Sequence, residues 1–250
     1  MTRIILCGCC GKMGNVISSL VLEDKEAEIV CGVDSYNSGN MPFPVYSSFE
    51  EIKEEADVII DFSNPSSLPS LLDFSIKNTV PVVIATTGYD EKQLKKIDEA
   101  SKKTAIFFTF NMSLGINLIT SLARTARKVL GEGFDVEIIE KHHNQKIDAP
   151  SGTAIMLANA ISEEFETKPL YEYDRHSKRE KRPKNEIGIH SIRGGTIVGE
   201  HEVIFAGTDE IVSIKHQAMS KKIFANGAIN AAKFLKGKQN GIYSMEDIIK

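Results

Sequence analysis

Hydrophobic positions change their pattern about halfway along the chain. Residues 3–7 form a short apolar run, residues 12–23 place Met13, Val16, Ile17, Leu20 and Val21 at helical spacing, and residues 28–33 are again strand-like and end at Asp34. This predicts a β-α-β opening. The alternation continues with a strand over 56–61, a helix over roughly 65–78, a strand over 80–85, a helix over 90–102 and a strand over 104–109. These strands are continuous apolar runs without polar alternation, as expected of a sheet buried on both faces. The pattern therefore predicts a doubly wound parallel sheet over roughly the first 110 residues.

Beyond Asn111 the pattern differs. A long helix is predicted over 115–130, then a strand over 135–140, a polar loop, and a helix beginning near Ser151. Strands follow at 186–193, 196–207 and 210–216, with hairpin turns expected at Gly194-Gly195 and at Gly207-Thr208-Asp209. A helix at about 220–236 closes the pattern. The fold class expected is α/β: a Rossmann-type doubly wound parallel sheet plus a second α+β domain with a mixed or antiparallel sheet. Residues 1–112 are assigned to the first domain and 113–221 to the second.

Composition narrows the function. The 250 residues are 42% hydrophobic and 26% charged, which excludes disordered, collagenous and disulfide-scaffold classes. A net charge of −4 argues against a dedicated partner of nucleic acid or of an anionic membrane and favours a small-molecule partner. The stretch 175–184 holds six basic residues, read as a solvated loop rather than a nucleic-acid patch. The longest apolar runs, such as 80–85, fall far short of the roughly 20 residues of a spanning helix. Residues 1–8 lack the pattern of a secretory signal, so a cytoplasmic location is expected. The four cysteines (7, 9, 10 and 31) are too clustered to staple the chain and are expected to be thiols. Cys7 and Cys10 make a C-x-x-C outside the context of redox motifs, and no metal is expected.

Two segments carry chemistry. Gly8-Cys9-Cys10-Gly11-Lys12-Met13-Gly14 follows the first strand and opens the first helix, where backbone N–H groups favour a pyrophosphate. Its G-x-x-G-x-x-G spacing departs from the usual fingerprint, and a glycine-eased turn is the plainer reading. Asp34, 20 residues past Gly14 at the tip of the second strand, stands where an acid accepts hydrogen bonds from an adenine-ribose diol. No lysine or arginine lies between Lys25 and Lys53 to hold a 2′-phosphate, so NADH is expected over NADPH. Strand-end turns at Ala85-Thr86-Thr87-Gly88 and Phe110-Asn111-Met112-Ser113 suit the nicotinamide side, though threonine, glycine and asparagine are also ordinary turn residues.

The second segment runs from Glu140 to Ala154 and places two histidines and two lysines within six residues. Adjacent histidines share no face of a helix or strand, so a metal pair is less natural than one histidine in proton chemistry and the other orienting a substrate. A polar surface loop is the alternative. Pro150, Ser151, Gly152 and Thr153 make a good helix start and an anion site suited to a carboxylate. Together these groups suggest reduction of a small carboxylated substrate with coupled protonation.

With these residues in place the chain resembles, essentially end to end, the dihydrodipicolinate (4-hydroxy-tetrahydrodipicolinate) reductase family of diaminopimelate and lysine biosynthesis. The resemblance rests on 8–14, Asp61-Phe62-Ser63-Asn64-Pro65, 85–88, 111–117, His142-His143-Asn144-Gln145-Lys146, 149–154 and 193–201. It implies His142 as proton donor and acceptor and Lys146 as a proton donor that also contacts substrate. It further implies that His143, Gly152 and Thr153 bind a substrate carboxylate beside Ser151. It places the cofactor on Gly8, Cys9, Cys10, Gly11, Lys12, Met13, Asp34, Ala85, Thr86, Thr87, Phe110, Asn111, Met112 and Ser113, with Lys221 and Phe224 nearby. The implied reaction is hydride transfer from NADH or NADPH to C4 of a cyclic imine dicarboxylate, then protonation at C3. A homotetramer built through the second domain's sheet is implied as well, with a C-terminal helix over 222–250 packing back on the first domain. Another amino-acid dehydrogenase of aspartate or homoserine type would explain the nucleotide half equally well. A nucleotide-sensing regulator without turnover would lack the acid groups that His142 and Lys146 supply.

Overall fold

Each apolar run of the N-terminal half sends alternate side chains to opposite faces of a sheet, and both faces are covered. The computed structural model describes residues 1–37 and 39–249. Lys250, the end of the 222–250 segment, lies outside the described residues. In chain order the elements are β1 (Thr2–Cys7), α1 (Lys12–Leu22), β2 (Ala27–Val33), β3 (Val45–Tyr46), β4 (Val58–Asp61), α2 (Leu68–Asn78), β5 (Val82–Ile84), α3 (Glu91–Ser101) and β6 (Ala105–Phe108). They continue as α4 (Leu114–Leu130), β7 (Asp135–His142), α5 (Gly152–Ser162), β8 (Leu170–Glu172), β9 (Glu186–Arg193), β10 (Gly199–Ala206), β11 (Ile211–Ala218), α6 (Lys222–Leu235), β12 (Gly241–Tyr243) and α7 (Met245–Ile249). The chain divides into two compact units, Met1–Leu114 with the segment from Lys222 onward, and Gly115–Lys221.

The first unit is a seven-stranded sheet in the order β12-β6-β5-β4-β1-β2-β3, with every pairing parallel. Ile4, Leu6, Ile60, Val83 and Phe107 pack on one face with α1 and α6, through Ile17, Val21, Ala225, Ala228 and Ala232. Ile5, Ile59, Val82, Ile84 and Ile106 pack on the other with α2 and α3, through Leu71, Leu72, Ile97 and Ala100. Each fully buried isoleucine or phenylalanine contributes about 1.5–3 kcal/mol, so this double layer explains the absence of polar alternation. The strand order reverses between β1 and β4, and the carboxyl ends of these two strands flank the crevice where such sheets bind ligands. The chain does not close with a single helix: after α6 it adds β12 to the sheet edge and then α7.

The second unit is a five-stranded mixed sheet, β11-β10-β7-β9-β8, with β7, β9 and β8 parallel and β10 and β11 antiparallel. Burial alternates strictly along β7 and β10. The covered face packs Val136, Ile138, Ile187, Ile189, Val203 and Phe205 against α4 and α5. One predicted turn is corrected here. Gly194-Gly195 closes no hairpin, because β9 and β10 pair with opposite sides of β7 and not with each other. Gly207 and Asp209 do sit in the tight β10–β11 turn, where the Gly207 N–H donates to the Glu210 carbonyl at 2.8 Å. The basic stretch is tied down: Arg175 pairs with Glu186, Lys178 with Glu172, and Arg182 with Asp135 and Glu137.

Candidate active site

In the first unit the chain must turn from β1 into α1 with almost no room. Gly8 adopts φ +72°, and a Cβ there would meet the Phe62 carbonyl oxygen at 2.4 Å. Gly14 lies so close beneath the turn that its Cβ would fall 2.3 Å and 2.4 Å from the carbonyl oxygens of Gly8 and Cys9. Gly11 caps α1 with no side-chain hydrogen bond. The first-turn N–H groups beside exposed Lys12 and half-buried Met13 are thus directed toward an external acceptor, an arrangement that holds phosphate. Asp34 leaves β2 with Oδ2 accepting from the Cys10 N–H at 2.9 Å and Oδ1 from the Tyr36 N–H at 3.0 Å. The carboxylate is held at the mouth of the glycine turn with lone pairs left for a diol.

The neighbouring strand ends are joined by a buried acid to which the sequence pattern assigns no role. Asp61, at the end of β4, accepts from the Ser63 hydroxyl and N–H, from Thr86 Oγ1 at 2.7 Å and from the Tyr89 hydroxyl at 3.4 Å. Burial raises its pKa despite these donors. Asp61 thereby fixes the Thr86-Thr87 turn against the loop that follows β4. A cleft of about 70 Å³ is lined by Thr86–Tyr89, Leu94 and Phe108–Phe110. Thr87 and Phe110 are exposed there, and Asn111 is half-buried with Oδ1 accepting from the Ser113 N–H at 2.8 Å. Cys9, Ala85, Thr86, Met112 and Ser113 are buried instead. Phe224 packs half-buried on the first unit's core, and Lys221 is exposed at the end of the second unit.

In the second unit the covered face of the sheet is apolar for two rows and then becomes polar. Register places Ile138 beside Ile189 and Val203, then Glu140 beside Ser191 and His201, then His142 beside Arg193. Gly199 leaves room for the histidine, since a Cβ there would lie 3.1 Å from His142 Nε2. Glu140 is fully buried. It accepts from Arg193 Nη1 and Nη2 at 2.8 and 2.7 Å, from the Ser151 N–H at 3.0 Å, and stands 2.6 Å from His142 Nδ1. Burial alone would raise its pKa, but the bonds to His142, Arg193 and Ser191 and the Ser151 N–H outweigh it and hold the carboxyl well below the usual range. A carboxylate at Nδ1 fixes that nitrogen as the N–H donor, leaving Nε2 as the working nitrogen of His142.

The helix start beyond the loop belongs to the same cluster. Ser151 Oγ accepts from the Ala154 N–H at 3.2 Å and bonds His201 Nε2 at 3.0 Å. His201 stacks edge-on to His142 with centroids 5.2 Å apart. Its pKa is pushed down to about 4, first by burial and then by His142, so it is neutral at neutral pH. No Cβ contact lies within 4 Å of exposed Gly152, so the space beside the first turn of α5 is open. In the connecting loop His143 and Lys146 are half-buried, and Lys146 Nζ pairs with Asp148 Oδ1 at 2.8 Å. Arg193 Nη2 also donates to the Asp148 carbonyl at 2.6 Å and the Gly194 N–H to the His142 carbonyl at 2.9 Å, which closes the loop over the strand end. The sequence pattern assigns no role to Glu140, Arg193 or His201. Glu140 two residues before His142 on a strand was the available signal, because such residues share a face.

A parallel sheet with a glycine turn and a strand-end acid, joined to a second unit carrying a carboxylate-held histidine and an open helix start, defines the class of nicotinamide-dependent oxidoreductases of Rossmann type. Family models agree over nearly the whole chain: residues 2–112 match dihydrodipicolinate reductase, N-terminus, and residues 115–249 match dihydrodipicolinate reductase, C-terminus. The chain belongs to the dihydrodipicolinate reductase family. It is 55% identical over 250 residues to a 4-hydroxy-tetrahydrodipicolinate reductase of Caldanaerobacter subterraneus subsp. tengcongensis, covering 100% of this chain and 99% of the relative. It is 50% identical over 250 residues to the reductase of that name from Clostridium novyi, with the same coverage of 100% and 99%. The solved dipicolinate-bound dihydrodipicolinate reductase of Paenisporosarcina sp. TG-14 superimposes with a TM-score of 0.83 at 26% identity, covering 99% of each chain.

Proposed function

We propose that this chain reduces dihydrodipicolinate, formed from 4-hydroxy-tetrahydrodipicolinate, to tetrahydrodipicolinate in diaminopimelate and lysine biosynthesis. The observation that carries the reading is the buried Glu140–His142 pair at 2.6 Å beside the capped start of α5, a proton donor set next to a carboxylate seat. The second unit supplies the substrate residues. Lys146 and His143 face the substrate's negative charge, and the N–H groups of Gly152 and Thr153 receive one carboxylate at the helix start, with Ser151 holding that turn. The relative from Paenisporosarcina was solved with dipicolinate, a planar dicarboxylate, and that ligand fits a seat of this chemistry.

The first unit supplies the cofactor residues: the glycine turn 8–13 for the pyrophosphate, Asp34 for the adenine ribose, and the turns 85–87 and 110–113 with Phe224 for the nicotinamide end; Lys221 is assigned as a further cofactor residue. When bound, the cofactor supplies a hydride to C4 of the substrate. His142 then delivers a proton from Nε2 to C3 of the electron-rich enamine, while Glu140 stabilises the charged imidazole that precedes the transfer. Lys146 is a second donor at the same substrate. NADH is favoured over NADPH because Asp34 stands where a 2′-phosphate would lie and no cation occurs from 26 to 52 to offset it. No metal takes part.

The face of the second sheet not covered by α4 and α5 carries the half-buried residues of β7 and β10, and we place a homotetramer interface there. Oxidation of NADH or NADPH draws on the cytoplasmic pool, where we place the enzyme. Reduced cofactor deuterated at the transferable position and supplied with enzymatically generated dihydrodipicolinate should give product with deuterium at C4 and solvent hydrogen at C3. Label at any other carbon, or no product from folded protein, would overturn the assignment.

A further inference from the structure

The glycine turn carries chemistry that cofactor binding does not use. Consecutive side chains usually diverge, but residues 8–11 form a turn, and Cys9 Sγ and Cys10 Sγ lie only 3.9 Å apart. A carboxylate oxygen of Asp34 completes a cluster whose three ligand atoms all fall within 4.8 Å of one another. Two thiolates on one tetrahedral zinc, each at about 2.3 Å, stand about 3.8 Å apart, so the sulfurs already have the spacing that such an ion requires. Gly32 creates the space, since a Cβ there would lie 2.5 Å from Cys9 Sγ. Cys9 is fully buried, whereas Cys10 and Asp34 are half-buried, so an ion reaches the cluster from the side of Cys10 and Asp34.

We propose that Cys9, Cys10 and Asp34 form a site for a thiophilic divalent cation of the zinc type, whose occupation competes with the dinucleotide. The competition rests on the cofactor reading above; the metal site does not. Three protein ligands leave a fourth position to water, which makes the site exchangeable, unlike closed four-ligand structural zinc sites. Binding replaces thiol protons, so up to two protons per ion pass to the buffer. An ion on Asp34 takes the oxygens that would accept from the ribose diol and sits where the turn approaches the pyrophosphate. Linkage requires the dinucleotide to weaken the ion by the same factor.

The test uses the full chain, reduced and treated with chelator, with cadmium as the probe. Sulfur-to-cadmium charge-transfer absorbance should rise to a plateau at one cadmium per chain. The affinity should fall at least tenfold in Cys10→Ser and in Cys9→Ala and stay unchanged in Cys31→Ala, each checked for folding by circular dichroism. Absence of the band, or its survival in both folded Cys10→Ser and Cys9→Ala, overturns the metal site. NADH fluorescence titration should give a dissociation constant at least tenfold higher with saturating cadmium than without. An unchanged constant overturns the competition. If metal-free protein fails to bind NADH, the cofactor reading and the competition fall together, and the cadmium band still decides the metal site.

Discussion

Replacing Glu140 by glutamine keeps the shape of the side chain and removes the charge that holds the second unit's polar cluster together. The wild-type carboxylate is fully buried and receives two bonds from Arg193, one from the Ser151 N–H and one from His142 Nδ1. An amide has one acceptor oxygen, and its NH₂ must face a donor. Breaking a buried ion pair costs about 3–5 kcal/mol. The Arg193 side chain is 20% exposed, so water recovers part of this, and the expected loss is about 3 kcal/mol. For a chain of this length that lowers Tm by about 6–12 °C. His142 would also lose the partner that fixes its tautomer, and kcat should drop on the order of 100-fold, about 2.7 kcal/mol of transition-state stabilisation. Steady-state kinetics well below the variant's Tm, beside thermal unfolding by circular dichroism, separate the two effects. The pH dependence follows from the depressed Glu140 pKa. The stability it confers is fully present above the unfolded value of about 4.3 and is lost as pH falls toward the folded value, so the gap between wild type and variant should narrow in acid. A folded Glu140→Gln enzyme with kcat within about threefold of wild type would refute the role given to this pair.

Four further outcomes follow. His142→Gln should lower kcat far more than it raises KM, whereas Lys146→Ala should worsen both; equal small effects of the two in steady-state kinetics would reject these roles. His201 is neutral in the fold, with its pKa lowered from 6.5 to about 4, so the unfolded state binds the extra proton between these values. Stability should fall by about 3 kcal/mol as pH drops from 6.5 to 4, and chemical denaturation of His201→Gln should show this slope flattened. Gly14→Ala drives a Cβ into two carbonyl oxygens at 2.3 and 2.4 Å. It should cost roughly 1–3 kcal/mol or more and weaken NADH at least tenfold by fluorescence titration, and unchanged binding would show that the turn does not hold the pyrophosphate. Asp34→Ala should raise KM for NADH more than for NADPH, and an equal effect would remove the argument for NADH.

The parallel sheet was legible because its signals are local. Runs such as Val58–Ile60 and the helical spacing from Met13 to Val21 need only neighbouring residues to be read, and a turn of three glycines follows directly on the first strand. Strands β3, β8 and β12 are two or three residues long and carry no period, so nothing marked them. The Gly194-Gly195 turn looked like a hairpin because glycine pairs between strands usually make one. The intervening β7 comes from more than fifty residues earlier, and pairing at that distance leaves no local trace. The His142-to-Thr153 segment stood out by its composition, but its buried supports did not. Arg193 and His201 reach Glu140 and Ser151 only through the register of three strands, and Asp61 joins loops separated by 25 residues. Burial is what makes these groups consequential, and burial is a property of the folded sheet.

The most direct measurement is a coupled assay. A dihydrodipicolinate synthase generates substrate in place from pyruvate and aspartate semialdehyde, while wild type and His142→Gln are followed with NADH and NADPH in parallel wells. Synthase-dependent loss of reduced cofactor is expected with wild type, faster with NADH at limiting cofactor, and strongly reduced with His142→Gln. No synthase-dependent loss with either cofactor, from folded protein that binds NADH, would contradict the account.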